Sequence, residues 1–213
     1  MSDKFDRFGT SYSFKKVNEK NTIVFIHGVG LTKEIWYPQI NFFKTYNTLT
    51  YDLLGHGKTH LKKTKVSFED FNNQLLKLIN ELNFSKFHLV GFSLGALIAR
   101  HFASEYSDRL CSLIIHGSIY KRTEEQKRVV QNRFEVAKTG KPASKQAAIR
   151  RWLTENFIKK NPNIYKKVYS VLEKNNKNNF LKCYDIFVNY IDNDKELKKI
   201  NVNTLVATGQ RDV

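Results

Sequence analysis

Ser93 stands in the sequence Gly-Phe-Ser-Leu-Gly at residues 91–95, which has the form G-x-S-x-G. An apolar run at residues 87–90 precedes the motif and a helical pattern at residues 94–106 follows it, so Ser93 is predicted to lie in a tight strand-to-helix turn. The two glycines let the strand and the helix approach each other closely. A serine oxygen at a helix N-terminus, where backbone N–H groups favour negative charge, can act as the nucleophile of acyl transfer.

A second glycine-containing loop, His-Gly-Val-Gly at residues 27–30, directly follows the first apolar run. Attack by a serine on a carbonyl group creates a tetrahedral oxyanion, which needs two N–H donors. We expect the backbone N–H groups of Val29, in this early loop, and of Leu94, directly after the serine, to form the oxyanion hole. The side chain of His27 is expected to brace the loop and to take no part in proton transfer.

Asp212 is the predicted acid of a catalytic triad. It follows Gly209 by three residues at the end of the last predicted strand, and it comes after Ser93, as the chain order serine, acid, histidine requires. Its carboxylate would orient the imidazole of the base and stabilise the imidazolium. Asp52 and His56 precede the serine, and we interpret both as turn-forming residues.

The elements that position these residues can be predicted from hydrophobic patterns. Hydrophobic residues make up 41% of the 213-residue chain, too much for a disordered protein. Amphipathic patterns at residues 68–82 and 94–106 predict helices, and an alternating pattern near residues 10–17 predicts an antiparallel edge hairpin. Because helices alternate with short apolar runs, we predict an α/β fold with a parallel sheet. The runs lie at residues 22–27, 46–52, 87–92 and 110–116.

The chain is predicted to divide into three parts. Residues 1–118 form the first part of the α/β core. Residues 119–199 contain helical patterns without strand-like runs, and we interpret them as a helical cap inserted between two strands. Residues 200–213 contain a further strand, predicted at residues 204–208 to be buried, and carry Asp212; the remaining core is expected to be missing.

The positive charge is concentrated in the predicted cap. The chain has a formal net charge of +16, and residues 121–182 alone contain 17 Lys and Arg and five Glu. We interpret most of these lysines as solvated helix faces. Because ligands of open α/β sheets bind beyond the strand ends, Arg150, Arg151 and Trp152 are candidate substrate-binding residues for an anionic substrate. No zinc-finger, RRM or helix-turn-helix pattern accompanies the charge, so nucleic-acid binding is not expected.

Other features of the chain exclude several classes of protein. No apolar run reaches the roughly 18 residues of a membrane span, and residues 1–7 do not resemble a signal peptide, so a cytoplasmic protein without a membrane partner is expected. Cys111 and Cys183 lack the spacing of a metal or redox site, and we interpret both as ordinary thiols. Neither a cofactor nor a metal is expected. A homo-oligomer is compatible with the sequence.

Taken with their order, these motifs resemble the α/β-hydrolase superfamily over essentially the whole chain. The resemblance rests on the loop at residues 27–30, the D-x-x-G-H-G turn at 52–57, the serine motif at 91–95 and the G-x-x-D strand end at 209–212. It implies an α/β-hydrolase fold, with a mostly parallel sheet, helices on both faces and an inserted helical cap.

Four further stretches together resemble the 3-oxoadipate enol-lactonase-like group of serine hydrolases. They are WYPQ at residues 36–39, YDLLGHG at 51–57, RWLTENF at 151–157 and NFLKCY at 179–184. Members of this group hydrolyse a small carboxylate-bearing lactone without a cofactor. The resemblance therefore implies a hydrolase of small esters or lactones, with a small molecule as its partner.

The family's base is a histidine on a loop a few tens of residues beyond the acid, and this sequence ends before that position. His116, at the end of a predicted strand, is a second choice. The chain as given is accordingly expected to be inactive. Two alternatives stay open: a non-catalytic binding protein of this fold, and a C–C bond hydrolase or cofactor-free oxidase on the same scaffold. The six histidines, all before Asp212, are His27, His56, His60, His88, His101 and His116.

Overall fold

A seven-stranded sheet forms the centre of the computed structural model, which describes residues 3–210. The strands are β1 (Lys4–Phe5), β2 (Ser11–Lys15), β3 (Thr22–Ile26), β4 (Thr48–Tyr51), β5 (Phe87–Phe92), β6 (Leu110–His116) and β7 (Thr204–Ala207). Their order in the sheet is β1-β2-β4-β3-β5-β6-β7. The pairs β1–β2 and β2–β4 are antiparallel, and the other neighbours are parallel. The predicted α/β class is therefore confirmed, and the edge hairpin is present as β1 and β2.

Nine α-helices fall within the described part of the chain, and six of them lie between β6 and β7. The first three are α1 (Tyr37–Phe42), α2 (Phe68–Glu81) and α3 (Leu94–Tyr106). The other six are α4 (Glu124–Lys138), α5 (Pro142–Trp152), α6 (Glu155–Lys160), α7 (Pro162–Lys174), α8 (Lys177–Val188) and α9 (Asp194–Leu197). Among the helices of residues 3–210, none combines the length and the apolar sequence of a membrane span.

Alternate residues of β3 pack in two separate hydrophobic clusters. Val24 and Ile26 are fully buried in the larger cluster, which contains residues of α2 and α3. Phe25 packs on the other face of the sheet against Trp36, with 4.9 Å between ring centroids. This two-residue alternation is the geometry of a strand that is covered on both faces. It explains why the central strands have continuous apolar sequences.

The prediction that residues 204–208 form a buried strand is wrong. The strand β7 exists, but within residues 3–210 it lies at the edge of the sheet and pairs with β6 alone. Leu205 is 58% exposed and Val206 is 69% exposed. The apolar, β-branched sequence of a segment indicates that it favours the β conformation. Whether the segment is buried depends on whether other elements cover it.

A buried ion pair joins α3 to the segment that contains the six inserted helices. Arg100 on α3 lies 2.5 Å from Asp192, and both side chains are at most 5% exposed. Arg100 also donates to the carbonyl of Ile119 at 2.7 Å, and Asp192 accepts from the backbone N–H of Lys121 at 2.7 Å. The side chain of Arg100 on α3 therefore contacts both Ile119 and Asp192, the first and last residues of the stretch 119–192.

Candidate active site

Ser93 lies in the turn between β5 and α3 with a strained backbone. Its φ is 56° and its ψ is −118°, a conformation that residues other than glycine rarely adopt. The N–H of Ser93 donates to the carbonyl of His116 at 3.0 Å, and its carbonyl accepts from Ala96 at 2.9 Å and from Leu97 at 3.2 Å. These bonds hold the serine at the carboxyl end of the central strands, as the motif predicted.

The two glycines of the motif are required by backbone packing. A Cβ atom on Gly91 would lie 2.3 Å from the carbonyl oxygen of Gly95. A Cβ atom on Gly95 would lie 2.4 Å from the carbonyl oxygen of Ile26 on β3. Both distances are far below van der Waals contact, so α3 can start this close to β3 and β5 only if both residues are glycine.

The early loop contacts Ser93 directly. A Cβ atom on Gly28 would lie 3.1 Å from the Cβ atom of Ser93. Val29, the next residue, is half-buried, and its backbone N–H has no hydrogen-bond partner in residues 3–210. Leu94, the other predicted oxyanion donor, is the first residue of α3 and is fully buried. The loop and the helix start therefore meet at Ser93.

His27 is a bracing residue, as expected from the sequence. Its Nε2 accepts a 3.0 Å hydrogen bond from the backbone N–H of Leu53, so Nδ1 carries the proton and donates to the carbonyl of Gly28 at 2.8 Å. The ring is fully buried, and this burial lowers its pKa. A neutral imidazole with both nitrogens engaged is suited to fixing the loop.

His56 supports the next turn of the same loop. Its Nε2 accepts from the N–H of Gly30 at 3.0 Å, and its Nδ1 donates to the carbonyl of Leu54 at 3.1 Å. Burial, with a smaller contribution from His27, lowers the pKa of His56 to about 3. The two imidazoles contact each other edge to face, with 5.2 Å between ring centroids. His56 is thus a neutral structural residue at pH 7.

Asp52 has a structural role as well. Its carboxylate accepts from the backbone N–H of Lys33 at 2.9 Å and from the backbone N–H of Lys58 at 3.1 Å. The buried ammonium group of Lys33 lies 3.0 Å from Asp52 and 2.9 Å from Asp3. The interpretation of Asp52 as a turn-forming residue agrees with these contacts.

A cavity of about 1220 Å³ lies between this turn and the inserted helices. Gly28, Val29, Phe92 and Ser93 contribute to its lining on the core side. Residues of α4, α5, α7 and α8 line the opposite side. Ser93 is therefore open to a space large enough for a small organic substrate.

Two of the three predicted substrate-binding residues line this cavity, and the third does not. Arg151 and Trp152 are lining residues. Arg150 is not among the described lining residues, and its guanidinium lies 3.2 Å from Glu155 on the surface. Successive residues of an α-helix point about 100° apart, so Arg150 and Arg151 cannot both face the same side. The prediction for Arg150 is corrected accordingly.

Two cavity-lining arginines, Arg122 and Arg133, were not singled out from the sequence. The concentration of positive charge in residues 121–182 indicated that some cations of the inserted helices could line the cavity. It did not identify which cations face inward, because that depends on how the helices pack. Within residues 3–210, no group of three or more His, Cys, Asp or Glu side chains is arranged to hold a metal ion.

Comparison with known proteins decides the family. The family model described as alpha/beta hydrolase fold matches residues 21–212. The chain belongs to the α/β-hydrolase family. A solved enol-lactonase from Burkholderia xenovorans LB400 aligns with this α/β-hydrolase at a TM-score of 0.82 and 22% identity, covering 94% of this chain and 78% of that one. The predicted α/β-hydrolase fold is thereby confirmed.

Two curated relatives from Acinetobacter baylyi extend the comparison. The (E)-2-((N-methylformamido)methylene)succinate hydrolase is 31% identical over 152 residues, which are 71% of this chain and 57% of the relative. The 3-oxoadipate enol-lactonase 1 is 26% identical over 192 residues, which are 89% of this chain and 71% of the relative. The resemblance of this α/β-hydrolase to the enol-lactonase-like group is therefore confirmed. The chain spans little more than half the length of the first relative.

The predicted acid, and a histidine hydrogen-bonded to the Ser93 hydroxyl, are not found among the described residues of this α/β-hydrolase. Asp212 lies outside residues 3–210. None of the hydrogen bonds that histidine rings form in that range involves the Ser93 hydroxyl. The backbone carbonyl of His116 accepts from the N–H of Ser93, and the centre of its ring lies 5.5 Å from the centre of the Phe92 ring. His88 bonds to the hydroxyl of Ser112 at 2.8 Å, away from the cavity lining.

Proposed function

We propose that this α/β-hydrolase hydrolyses a small carboxylic ester or lactone with Ser93 as the nucleophile. The observation that carries the proposal is the backbone of Ser93, which has a φ of 56° at the lining of a large cavity. A strained non-glycine residue persists only where the surrounding structure holds it, and such residues cluster at active sites. The names of the relatives, a hydrolase and an enol-lactonase, support the same reaction class.

In the proposed mechanism, the Ser93 oxygen attacks the substrate carbonyl carbon while a histidine takes the hydroxyl proton. The N–H groups of Val29 and Leu94 donate to the oxyanion of the tetrahedral intermediate. Collapse of this intermediate expels the alcohol oxygen, which receives the proton from the histidine, and leaves an acyl-enzyme. A water molecule then hydrolyses the acyl-enzyme by the same steps. Asp212 orients the histidine.

Each of the six histidines in the chain lies within residues 3–210, and the hydrogen bonds of their rings do not involve the Ser93 hydroxyl, so the proposed base is a histidine outside that range. We propose that a histidine encoded beyond the codon for Val213 fills this role. The reading frame after that codon tests this directly. A further strand followed by a loop histidine supports the enzyme, while an immediate stop codon contradicts a complete triad within one chain.

A second candidate function is non-catalytic ligand binding. The observation that favours it is that no histidine ring among the described residues forms a hydrogen bond with the Ser93 hydroxyl. Without a base, catalysis by a serine nucleophile falls by several orders of magnitude. A binding protein would retain the cavity and its affinity for small molecules but would show no turnover.

The two functions can be separated by a panel of lactones and p-nitrophenyl esters assayed with the full-length gene product. Ser93→Ala removes the nucleophile and is expected to lower kcat by at least about 10³-fold. Ser118→Ala is a matched control, because Ser118 is another serine in the cavity lining. Turnover that survives Ser93→Ala contradicts the mechanism. Binding without turnover in every form supports the second function.

A further inference from the structure

Two loops at one end of the sheet form a single exposed surface. Residues 15–20 run from the end of β2 towards β3, and residues 42–47 run from the end of α1 to β4. The side chain of Asn47 joins the two loops. Its Oδ1 accepts from the N–H groups of Val17 at 2.7 Å and Asn18 at 3.0 Å, and its Nδ2 donates to the carbonyl of Asn18 at 2.9 Å. These hydrogen bonds fix the loops relative to each other, and residues 15–20 and 42–47 are together called the loop surface.

Aromatic side chains project from the loop surface. Phe42 is 80% exposed and Tyr46 is 48% exposed. Between them, Phe43 packs against the hydrophobic cluster that contains Phe25. The Phe43 ring lies edge to face with both exposed rings, at centroid distances of 5.1 Å from Phe42 and 5.6 Å from Tyr46. Val17 on the other loop adds a further exposed apolar side chain. Exposed apolar side chains grouped in this way are typical of interaction sites.

The loop surface is also basic. It contains four lysines and one glutamate, Glu19, whose carboxylate lies 2.8 Å from the ammonium group of Lys16. The other three lysines form no ion pair within residues 3–210. One of them, Lys15, reaches the other loop and donates to the carbonyl of Lys44 at 2.7 Å. Positive charge beside exposed rings is complementary to a partner that offers both negative charge and an apolar environment. The four lysines are Lys15, Lys16, Lys20 and Lys44.

The loop surface lies at the opposite edge of the sheet from Ser93. Residues 42–47 precede the first residue of β4, whereas Ser93 follows the last residue of β5. The strands β4, β3 and β5 are parallel neighbours, so their starts and their ends lie at opposite edges of the sheet. The rings and lysines of the loop surface therefore take no part in the proposed reaction.

We propose that the loop surface attaches this protein to anionic lipid membranes. In this arrangement Phe42 enters the interfacial region of the bilayer. The ammonium groups of Lys15, Lys20 and Lys44 contact the lipid headgroups. A side chain as exposed as Phe42 projects outward, which suits insertion between headgroups, whereas a folded protein partner would have to provide a pocket for it.

Peripheral attachment of this kind needs no membrane span. The expectation that the protein has no membrane partner rested on the lack of a long apolar run, which membrane-surface binding does not require. The exposed apolar residues Val17 and Phe42 lie on different loops. A pattern along the sequence therefore does not show that they share a surface with the lysines.

Co-sedimentation of the full-length gene product with lipid vesicles tests the proposal. Vesicles of phosphatidylcholine alone are compared with vesicles of phosphatidylcholine and phosphatidylserine at a ratio of about two to one, in about 0.15 M salt. The variants are Phe42→Ser and Lys44→Gln.

The matched controls change residues of the same character elsewhere. Ile191→Ser alters an apolar side chain that is 82% exposed between α8 and α9, and Lys195→Gln removes an exposed positive charge on α9. Asp192, next to Ile191, pairs with Arg100 on α3, which packs on the other face of the sheet from Phe43. The control positions therefore do not belong to the loop surface.

The wild-type protein should bind the vesicles that contain phosphatidylserine and should not bind measurably to phosphatidylcholine alone. Phe42→Ser should weaken binding about 10-fold, because a large apolar side chain no longer leaves water for the bilayer interface. Lys44→Gln should weaken binding about fivefold, the contribution of one basic residue near an anionic surface. Each control should change the dissociation constant by less than about twofold, since the attraction falls off within a Debye length.

Failure of the wild-type protein to bind phosphatidylserine vesicles would overturn the proposal. Equal weakening by Phe42→Ser and Ile191→Ser, or by Lys44→Gln and Lys195→Gln, would mean general attraction and would overturn it too. Dimerisation in sedimentation velocity that is lost in Phe42→Ser, without vesicle binding, would assign the loop surface to a second copy of the chain. Displacement from vesicles by soluble glycerophosphoserine at the same headgroup concentration would mean a site for one headgroup and would contradict attachment to the bilayer surface.

Discussion

The side-chain amide of Asn175, between α7 and α8, donates a 2.7 Å hydrogen bond to the backbone carbonyl of Gly30. The N–H of Gly30 donates in turn to His56 Nε2 at 3.0 Å. The loop that carries the Val29 N–H is therefore held from one side by the core and from the other by the inserted helices. Movement of those helices would change the position of the proposed oxyanion donor.

Asn175→Ala should lower kcat by about 10-fold with little change in KM, because it leaves the oxyanion loop held from one side only. Complete loss of one oxyanion donor costs about 10²- to 10³-fold, and a displaced donor should cost less. Steady-state kinetics with a p-nitrophenyl ester measures the change. Asn178→Ala is the control, since Asn178 is exposed on α8. Equal kcat values for the two variants would show that the Asn175 bond does not position the loop.

Substitutions at Gly91 and Gly28 should affect different properties: the first mainly stability, the second mainly activity. Gly91→Ala should lower the free energy of unfolding by about 1–3 kcal/mol or more, because its Cβ would lie 2.3 Å from the Gly95 carbonyl oxygen. Gly28→Ala should cost less stability, since the atoms nearest to its Cβ would be the Cβ of Ser93 at 3.1 Å and a ring atom of Phe92 at 3.2 Å. The main effect of Gly28→Ala should instead be a lower kcat for ester hydrolysis. Urea unfolding and ester kinetics on both variants test the contrast; a larger stability loss for Gly28→Ala would contradict it.

His56 should make the protein less stable in mild acid. Its pKa is about 3 when folded, against an ordinary value of 6.5, because burial disfavours the charged ring. Between these values the unfolded state binds more protons, so stability is complete above pH 6.5 and falls as the pH drops towards 3.

The His56 contribution can be isolated by urea unfolding at pH 7.5, 5.5 and 4.5. His56→Gln should be less stable than wild type at pH 7.5 but should lose less stability on acidification. The exposed His60 provides the control, and His60→Gln should follow the wild-type profile. If His56→Gln shows the wild-type pH dependence, His56 does not titrate as described.

Lys33 should be important for stability. It is 5% exposed, and although burial disfavours its charge, Asp3 and Asp52 outweigh this effect and raise its pKa. Because the ordinary value is 10.5, its contribution is complete at pH 7 and is lost only as the pH rises through the raised pKa. Lys33→Met leaves the buried carboxylate of Asp52 without its cation, which should cost about 3–5 kcal/mol in urea unfolding.

Lys58→Met is the matched control for Lys33. Lys58 also pairs with Asp3, but its side chain is 63% exposed, so its loss should cost less than about 1 kcal/mol. The backbone N–H that Lys58 donates to Asp52 is kept in this variant. Similar losses for both variants would contradict the assigned role of the Lys33 network.

The parts of the molecule that depend on local patterns could be predicted from the sequence. The turn at Ser93 is an example, since Gly91 and Gly95 lie within two residues of it and are required by its own geometry. The strands β3 and β5 could be recognised because burial on both faces demands continuous apolar residues. The order of the motifs along the chain also indicated that Asp52 and His56, which precede the serine, are turn-forming residues.

Features that depend on helix packing could not be predicted. The bond of Asn175 to Gly30 joins residues 145 positions apart, and an asparagine in an Asn-rich stretch gives no local signal of it. The positive charge of the inserted helices was evident, but the inward orientation of Arg133 and the outward one of Arg150 depend on which helix face meets the cavity. The exposure of β7 likewise depends on its neighbours.

The central claim is that Ser93 is the nucleophile, and the most direct test is covalent labelling. A fluorophosphonate reacts with an activated serine oxygen and releases fluoride, and the adduct is located by mass spectrometry of the full-length gene product. We predict one adduct, on the peptide that contains Ser93, which disappears in Ser93→Ala and persists in Ser118→Ala. Labelling that persists in Ser93→Ala, together with unchanged ester hydrolysis, would contradict the account.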